Sequence, residues 1–416
     1  MTQSDIQPSA LQPSSLAGLR ILDMSRILAG PSATQLLGDL GADVVKIERP
    51  AAGDDTRKWG PPFVKDADGN NTSESSYYLS ANRNKRSIAI DYTQPEGRDL
   101  LLKLMEKADV LIENYRTGTL ARYGLGYEDV KEKFPGLIYC SLTGFGQTGP
   151  YRDKSGYDFL IQGMGGIMSL TGPTQEGGTP YKTGVAIADL MAGMYAVTGI
   201  LAALHYRDKT GRGQFVDVAL LDTQVAWLSN AAQYYLTGGK VTPRMGNAHP
   251  TIVPYEVFPA ADGHMILAIG NDKQFSAFCN FAKCTELAED PRFKTNQARV
   301  ENRKILVPML RDITKQHPQQ FWIENLEKID VPCGPVNNLE QVFENPQVLA
   351  RDMVIKMKHP LSSETVKLLG CPLKLSETPA KYRHAPPFLD QHHDDILRDW
   401  LGEDNVHNIR PKGGPA

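Results

Sequence analysis

The chain has 416 residues, of which 41% are apolar and 22% charged, and its formal net charge is −3. This length and composition are typical of a globular protein of two or three domains. Because lysines and arginines are scattered and nearly balanced by acids, we expect small-molecule partners and neither nucleic acid nor a membrane surface. The five cysteines form no CxxC pair, which favours a reducing, cytoplasmic compartment over a disulfide framework.

The first segment, residues 1–15, is polar and rich in proline and serine. It lacks the apolar stretch of a signal peptide and the arginine-rich amphipathicity of a mitochondrial transit peptide, so we expect a disordered tail. No run of about 18 apolar residues follows, since even the stretch 185–204 is interrupted by Asp189, Thr198 and several small residues. We therefore expect no membrane span.

Alternating strand and helix patterns predict a parallel α/β sheet in the first half of the chain. In chain order the predicted elements are a strand at 20–24, a helix opened by Pro31 and stopped at Gly41, a strand at 43–48, a strand at 85–92, a helix opened by Pro95, and strands at 109–114 and 137–146. Repeated βα units of this kind form a Rossmann-like sheet covered by helices.

The second half changes character after a further apolar helix predicted from 220 to about 236. Glycine, proline and short β-like runs follow, and then helices near 300–328. The predicted organisation is a tail at 1–15, the first part of a large α/β domain at 16–224, a small α+β domain at 225–330, and a C-terminal segment at 331–416 that returns to the large domain.

Three glycines after the last predicted strand, Gly144, Gly146 and Gly149, have the spacing of a dinucleotide fingerprint. Pro150 and polar residues follow where that fingerprint requires a helix, so we predict a tight loop at the end of the strand. The nine histidines show neither HxxxH nor HExxH spacing, and we expect no metal site. GxSxG and P-loop motifs are also absent from the sequence.

Asp189 stands near the start of the apolar stretch 185–214. An isolated aspartate in that place is usually a helix N-cap. Small residues recur behind it at helical spacing, at Ala192, Ala196, Gly199 and Ala203. They would let another backbone or a ligand lie close, although such stripes are more often plain helix packing. A helix N-terminus also favours an ionised carboxylate, which a nucleophile requires.

Several ordered segments resemble the class III CoA-transferase (CaiB/BaiF) family, which includes formyl-CoA:oxalate and carnitine CoA-transferases. They run from "LDMSRILAGPSATQLLGDLGADVVKIERP" through "NRNKRSIAIDY", "DVLIENYRTG" and "DLMAGMYAVTGILAALHYRDKTGRGQ" to "VPCGPV", and so span nearly the whole chain. The segments "GDDTRKWGPPF", "SSYYLSANRNKRSIAI", "RMGNAHPTIVPYEVF" and "FKTNQARVENR" are most similar to the succinate/hydroxymethylglutarate branch.

The resemblance implies a chemical role for Asp189, since the family's catalytic aspartate stands in this D-x-x-x-G-x-x-A position. Its carboxylate would attack an acyl-CoA to give a mixed anhydride, and CoA thiolate would then convert the anhydride into an aspartyl-CoA thioester. The acceptor carboxylate would reverse both steps. No metal, ATP or tightly bound cofactor is needed, because the thioester bond energy is conserved and CoA enters as a substrate.

The resemblance also implies binding residues. The expected CoA contacts are Ile27, Leu28, Ala29, Arg49, Asn114, Tyr115, Arg116, Arg122, Thr143, Gly144, Phe145 and Gly146. We expect the acceptor to be a C4 to C6 dicarboxylate, whose distal charge needs a cation. The candidates near the acceptor are Arg26, Arg83, Arg244, Gly246 and His249, with Arg83 the preferred partner. The loop 244–247 is less rich in glycine than the corresponding loop of the oxalate enzyme. The resemblance therefore does not imply that this loop gates the active site as it does there.

The family fold implies an interlocked, ring-like homodimer, which a sequence pattern alone does not reveal. Two alternatives to CoA transfer stay open at this point. One is the 2-methylacyl-CoA racemase branch, although "SGYDFL" has Tyr157 where that branch has a histidine. The other is a non-catalytic CoA-binding protein, which would not need Asp189. Other acyl specificities, such as formyl-CoA:oxalate or carnitine transfer, are alternatives within the family.

Overall fold

A computed structural model describes residues 14–175 and 177–402. Most of the predicted tail, residues 1–13, lies outside these ranges. The chain divides into two compact units: unit 1 comprises the stretches 1–167, 183–236 and 349–416, and unit 2 comprises 168–182 and 237–348. The domain boundaries predicted from the sequence are not the same as the boundaries of these units, and they remain a prediction.

Within the described residues the strands are β1 (Arg20–Asp23), β2 (Asp43–Glu48), β3 (Phe63–Lys65), β4 (Asn71–Ser75), β5 (Lys85–Ala89), β6 (Val110–Glu113), β7 (Ile138–Thr143), β8 (Phe215–Ala219), β9 (Tyr255–Ala260), β10 (Gly263–Ala268), β11 (Cys333–Pro335), β12 (Val354–Lys358) and β13 (Thr365–Leu369). Strand β2 begins and ends where the sequence predicted, and the other predicted strands are present in shorter form.

The α-helices of the same residues are α1 (Ala29–Asp39), α2 (Ser76–Leu79), α3 (Pro95–Lys107), α4 (Tyr127–Val130), α5 (Asp158–Met164), α6 (Ile167–Leu170), α7 (Ile187–Thr210), α8 (Leu220–Ala226), α9 (Ser229–Gly238), α10 (Asp272–Phe281), α11 (Thr285–Glu289), α12 (Asn296–Glu301), α13 (Arg303–Thr314), α14 (Gln319–Glu327), α15 (Leu339–Glu344), α16 (Pro346–Ala350) and α17 (His393–Leu401).

Two predicted helices differ from the structure. Helix α1 begins two residues before Pro31, which still lies in the first turn, where its missing N–H costs no helical hydrogen bond. The single helix predicted at 220–236 is wrong. The chain forms α8 and α9 instead, because Ser229 has a φ of 46°, a left-handed backbone value that does not continue an α-helix.

Unit 1 is built on a six-stranded parallel sheet with the order β5-β2-β1-β6-β7-β8, which confirms the predicted α/β class. The chain runs from β1 to one side of the sheet through β2 and β5, and then to the other side through β6, β7 and β8. The order therefore reverses between β1 and β6. In open α/β sheets, ligands bind outside the carboxyl ends of the strands at such a switch point.

Helices cover both faces of this sheet. Successive strand residues point to opposite faces, so neighbouring residues contact different helices. Ile21 faces α1 and α7, which contribute Leu37 and Ala196 to one buried cluster. Its neighbour Leu22 faces α3 and α17, which contribute Leu101 and several other apolar side chains to the second cluster. The sheet is therefore buried on both faces, as its near-continuous apolar strands require.

Helix α7 is the one helix of the described chain that is long and apolar enough to cross a membrane. Its buried residues pack in the core of unit 1. Gly193 lies so close to α1 that a Cβ added there would be 2.7 Å from the Ala29 carbonyl oxygen. Ala192, Ala196 and Ala203 are buried in the same cluster. The small-residue stripe is thus ordinary helix packing, and α7 is a core helix of unit 1.

Unit 2 contains the antiparallel sheet β11-β10-β9 and the helices α10 to α15. Its core combines aliphatic and aromatic side chains, with Phe258, Phe278 and Trp322 among the buried aromatic ones. Cys279 and Cys284 lie in the same cluster, and none of the five cysteines, all of which lie among the described residues, forms a disulfide.

Candidate active site

A cavity of about 500 Å³ opens at the carboxyl ends of β1, β6 and β7. The residues that line it are Arg26, Ile27, Leu28, Ala29, Asp55, Trp59, Asn114, Tyr115, Arg116, Thr117, Leu142, Thr143, Gly144, Arg152, Lys154, Ser155, Gly156, Tyr157, Asp189 and Leu220. All of them belong to unit 1. A second cavity of about 350 Å³ shares Arg116, Thr117 and Arg152 with it.

Asp189 lies in the first turn of α7, and its carboxylate lines the cavity. The expectation that it caps the helix is wrong, because Ala186 is the N-cap residue and Asp189 is the third helical residue. The cap comes from another helix: the Ala188 N–H donates to Oδ1 of Asp158 at 2.9 Å. The Asp189 carboxylate has no hydrogen bond or ion pair among the described residues and is left for the cavity.

Burial, together with the negative charge of Asp158, raises the pKa of Asp189 to about 7. Desolvation and a like charge both disfavour the carboxylate relative to the neutral acid. The expectation that the helix N-terminus keeps Asp189 ionised at neutral pH is therefore corrected, because burial and Asp158 oppose the effect of the helix. At pH 7 the carboxylate and the acid coexist.

The loop after β1 is held in a defined shape by side chains from two other loops. The Arg26 N–H donates to Oδ1 of Asn114 at 2.8 Å, and Nδ2 of Asn114 donates back to the Arg26 carbonyl at 2.7 Å. Ile27 has a φ of 71°, a strained value for a β-branched residue, and its N–H points at Oδ1 of Asp54 at 3.3 Å. Such strain is usual where surrounding contacts fix a backbone at a functional site.

Cations line the cavity, and they have partners within unit 1. Nη1 of Arg26 is 2.7 Å from Asp55, and its guanidinium lies 5.4 Å from the centroid of the Tyr115 ring. Arg116 donates to the Asp153 carbonyl at 2.9 Å, and Lys154 lies 3.7 Å from the centroid of the Tyr151 ring. The cavity therefore carries positive charge that an anionic ligand can meet.

Beneath the loop lies a buried ionic network that the sequence did not reveal. Lys85 is 3.0 Å from Asp23, and Lys46 is 2.9 Å from Asp54, with all four side chains shielded from solvent. Nζ of Lys46 also donates to the Ser25 carbonyl at 2.9 Å. Burial alone would raise the pKa of Asp23, but the two lysines and two hydroxyl donors lower it to about 2. The network ties β1, β2 and β5 to the loop.

Ten of the residues predicted for the site line the cavity together: Arg26, Ile27, Leu28, Ala29, Asn114, Tyr115, Arg116, Thr143, Gly144 and Asp189. Arg49, Arg122, Phe145 and Gly146 do not line it. Arg49 is 2.9 Å from Asp55, which also pairs with Arg26, and Gly146 lies in the tight loop predicted after β7, where its φ is 84°.

Arg83, the preferred acceptor cation, does not line the cavity. It is buried in unit 1, where Nε and Nη2 form a bidentate ion pair with Asp39 at 3.0 and 2.5 Å. Its charge is already neutralised, so this placement argues against a role in acceptor binding. Arg244, Gly246 and His249 belong to unit 2, where Arg244 donates to the carbonyls of Pro173 and Gly178.

Sequence reasoning missed several residues of the cavity, including Asp55, Trp59, Arg152 and Lys154. Arg152, Lys154 and Tyr157 lie in "YRDKSGYD", directly after the glycine loop, and that position at a strand end was the available signal. Among residues 14–175 and 177–402, no group of three or more histidine, cysteine, aspartate or glutamate side chains could hold a metal ion.

Residues 16–393 match the profile of CoA-transferase family III. The chain is 46% identical to the succinate–glutarate CoA-transferase of Agrobacterium fabrum, covering 92% of this chain and 95% of that protein. It is 45% identical to the succinyl-CoA:glutarate CoA-transferase of Homo sapiens, covering 94% and 87%. A solved CaiB/BaiF family protein from Brucella suis superimposes with a TM-score of 0.83 at 46% identity, covering 94% of this chain and all of that one.

Proposed function

We propose that this CoA-transferase, which belongs to CoA-transferase family III, moves CoA from succinyl-CoA to a free C4 to C6 dicarboxylate such as glutarate through a covalent intermediate on Asp189. The observation that carries the proposal is the unpartnered Asp189 carboxylate at the switch point of the sheet, in a cavity lined by cations. The two enzymes described above that act on succinate and glutarate support this substrate class.

The reaction needs only carboxylate and thiolate exchange. An Asp189 oxygen attacks the thioester carbon of the donor, the C–S bond breaks, and CoA leaves as thiolate. The thiolate then attacks the Asp189 carbonyl carbon of the mixed anhydride, and the C–O bond breaks to release succinate. The acceptor carboxylate repeats the two steps in reverse. Covalent catalysis divides a difficult exchange into acyl transfers between activated carbonyls.

We propose that CoA lies along the cavity, with its thioester beside Asp189. Ile27, Leu28 and Ala29 then lie beside the acyl and thiol end, where the first turn of α1 offers backbone N–H groups that no side chain caps. Arg116 and Arg152 line both of the neighbouring cavities, and their guanidinium groups suit the phosphates of CoA. The roles of Arg49, Arg122, Phe145 and Gly146 as CoA contacts stay predictions.

For the distal carboxylate of the acceptor we propose Arg26. Among the candidates of the sequence analysis it is the one whose side chain lines the same cavity as Asp189 within unit 1. Its guanidinium keeps donors beyond those used by Asp55, and its Nε is buried without a hydrogen-bond partner. A dicarboxylate of four to six carbons places its second charge some distance from the reacting one, where a fixed arginine can pair with it.

We further propose a homodimer of the interlocked family type in the cytoplasm. Support comes from large apolar side chains exposed on helices of unit 1, among them Phe159 on α5, Met194 and Tyr195 on α7, and Leu236 on α9. Exposed apolar surface of this extent marks an interaction face. The cysteines, all free, fit a reducing compartment.

The decisive experiment is intact-protein and peptide mass spectrometry after mixing the enzyme with succinyl-CoA. We expect a CoA adduct on the peptide that contains Asp189, and borohydride should reduce it and inactivate the enzyme. Asp189→Asn should form no adduct and lose on the order of a thousandfold or more of transfer activity. Asp208→Asn, an exposed carboxylate on the same helix, is the matched control and should behave as wild type.

An adduct on any other residue, or Asp189→Asn activity within tenfold of wild type, would overturn the proposed mechanism. Incorporation of solvent deuterium into 2-methylacyl-CoA without CoA exchange would identify the racemase alternative. CoA binding without turnover of any acyl donor would identify a binding protein.

A further inference from the structure

Asp158 is the first residue of α5, and its carboxylate connects α5 to the start of α7. Oδ1 accepts the Ala188 N–H at 2.9 Å, and Oδ2 accepts from Nε2 of Gln162 at 2.8 Å. Ala186 offers no side-chain acceptor, and Asp158 supplies a side-chain hydrogen bond that caps the first turn of α7. Asp189 is the next residue after Ala188.

A second layer of hydrogen bonds fixes Asp158 in turn. Gln162 is buried, and its Oε1 accepts the Thr183 N–H at 2.9 Å and the Thr183 hydroxyl at 3.1 Å. Thr183 belongs to the segment that leads into α7. The orientation of the Asp189 backbone is thereby set from α5, by a chain of contacts that ends at Asp158.

We propose that Asp158 is the positioning residue of the Asp189 nucleophile. It fixes the first turn of α7 through Ala188, and its negative charge favours the uncharged, acylated forms of Asp189 over the free carboxylate. This inference rests on the proposed role of Asp189 and names a charged group that, together with burial, favours formation of the covalent intermediate.

The charges around Asp189 support this assignment. Asp158 is the like charge that, after burial, raises the pKa of Asp189. Burial, followed by the charges of Asp189 and Asp158, also raises the pKa of Tyr77 on α2. The protein groups that contact the cations of the cavity are groups other than Asp189: Asp55 for Arg26, the Asp153 carbonyl for Arg116, the Asp153 carboxylate for Arg152 and the Tyr151 ring for Lys154.

The chemistry explains why such repulsion is useful. In the mixed anhydride and in the CoA thioester, Asp189 is an uncharged acyl group, so its repulsion with Asp158 exists only in the resting enzyme. When Asp189 attacks the donor, its negative charge leaves with CoA thiolate, and later with the released carboxylate. The repulsion between Asp158 and Asp189 raises the free energy of the resting enzyme and not that of the intermediates. Only an interaction that differs in this way between the states before and after a step can accelerate that step.

Asp158→Asn tests the proposal, because asparagine keeps an oxygen for the Ala188 N–H and removes the charge. The acid limb of kcat/KM for the donor reports the pKa of the free enzyme. We expect this limb near pH 7 in wild type and lower by on the order of one pH unit in Asp158→Asn. Asp222→Asn, an exposed acid in the first turn of α8, is the charge-matched control and should leave the limb unchanged.

A second readout must agree with the first. Protonated and thioester-linked Asp189 are both uncharged. Removing the charge of Asp158 should therefore lower the equilibrium constants for forming these two states from the free carboxylate by the same factor. A fall of one pH unit in the acid limb therefore corresponds to about a tenfold fall in the equilibrium constant for thioester formation from enzyme and succinyl-CoA, measured by mass spectrometry above pH 8. Asp158→Glu, which keeps the charge, should retain the wild-type limb.

The outcomes separate the two proposals. If wild type forms no adduct on Asp189, the proposed function fails. If wild type forms the adduct but Asp158→Asn keeps its acid limb and its equilibrium constant, Asp158 has no electrostatic role and the inference fails. A loss of activity in Asp158→Asn with an unchanged limb would likewise reduce Asp158 to a helix cap.

Discussion

Asp189 is a residue whose ionisation the fold makes costly. The pKa of its side chain is about 7, because burial and Asp158 disfavour the carboxylate, whereas an ordinary aspartate in an unfolded chain ionises near 3.8. Between these values the folded state binds more protons than the unfolded state, so stability falls as pH rises from about 4 to 7. The enzyme therefore holds its proposed nucleophile at a cost to stability.

Replacing the acid by its neutral isostere should remove this cost. We expect Asp189→Asn to raise the free energy of unfolding at pH 8 by about 1 to 2 kcal/mol, after allowance for the solvent that reaches this half-buried group. Urea unfolding at pH 8 and pH 5 measures the difference, which should be smaller at pH 5. An equal gain at both pH values would show that ionisation of Asp189 does not limit stability.

Arg26 is the residue on which acceptor selectivity should depend. Arg26→Gln should raise the KM for glutarate by about tenfold to a hundredfold, because a carboxylate loses its charged partner, and should leave the KM for butyrate within about twofold. Steady-state kinetics with the two acids and one acyl-CoA donor provide the comparison. Equal effects on glutarate and butyrate would assign Arg26 to CoA rather than to the acceptor.

At the scale of elements, the site depends on how closely α1 and α7 approach each other. Gly193 permits that approach, since a Cβ at this position would lie 2.5 Å from Oγ of Ser32 and 2.7 Å from the Ala29 carbonyl oxygen. Ala29 and Asp189 line the same cavity, one at the start of each helix. Any shift between the two helices therefore changes the distance between Asp189 and the loop before α1.

Gly193→Ala should push the helices apart. We expect a loss of about 1 to 3 kcal/mol in stability, because a backbone carbonyl cannot rotate away as a side chain can, and a fall in activity larger than the loss of folded protein explains. Thermal unfolding and kinetics measure the two effects. Gly238→Ala in α9 is the control, since its Cβ would meet nothing within 4 Å, and it should be neutral or slightly stabilising.

The elements were predictable where local pattern decides them. Strand β2 and the start of α3 at Pro95 lie where the sequence predicted, because alternating helices and apolar strands fix them locally. The break between α8 and α9 was not predictable, since Ser229 adopts a positive φ that its residue type does not favour. The cap of α7 was also missed, because Asp158 lies 30 residues before Ala188, whose N–H donates the capping hydrogen bond to it.

At the scale of the whole molecule, charged residues inside the sheet were the largest surprise. Lys46, Lys85 and Asp23 stand on three strands that are adjacent in space and distant in sequence, and each is fully buried. A sequence pattern assigns charged residues to the surface, and only the sheet order brings these partners together. The family resemblance indicated Asp189 as the proposed nucleophile, but only the fold shows that Arg83 is committed to Asp39.

The C-terminal segment completes unit 1 by covering the edge strand β5. The His392 N–H donates to the Ser87 carbonyl at 3.0 Å, and the Ser87 N–H donates to Nδ1 of His392 at 3.3 Å, so the edge is paired rather than exposed. The second bond requires a neutral ring. Burial, with the nearby His384 and Arg86, lowers the pKa of His392 to about 4.

Acid should therefore loosen this segment. A histidine whose pKa is lower in the folded state than the ordinary 6.5 contributes stability that is present above pH 6.5 and lost as pH falls toward 4. His392→Asn keeps an acceptor near the position of Nδ1 and cannot be protonated, so its loss of stability between pH 7 and pH 5 should be smaller than that of wild type. Thermal unfolding at the two pH values measures this difference, and His264→Asn, an exposed histidine in β10, controls for the loss of a titratable ring. Over the same pH range the ionisation of Asp189 changes stability in the opposite direction. His392→Asn must therefore be compared with wild type at each pH, because both proteins contain Asp189. Equal acid losses in His392→Asn and wild type would show that another group releases the segment.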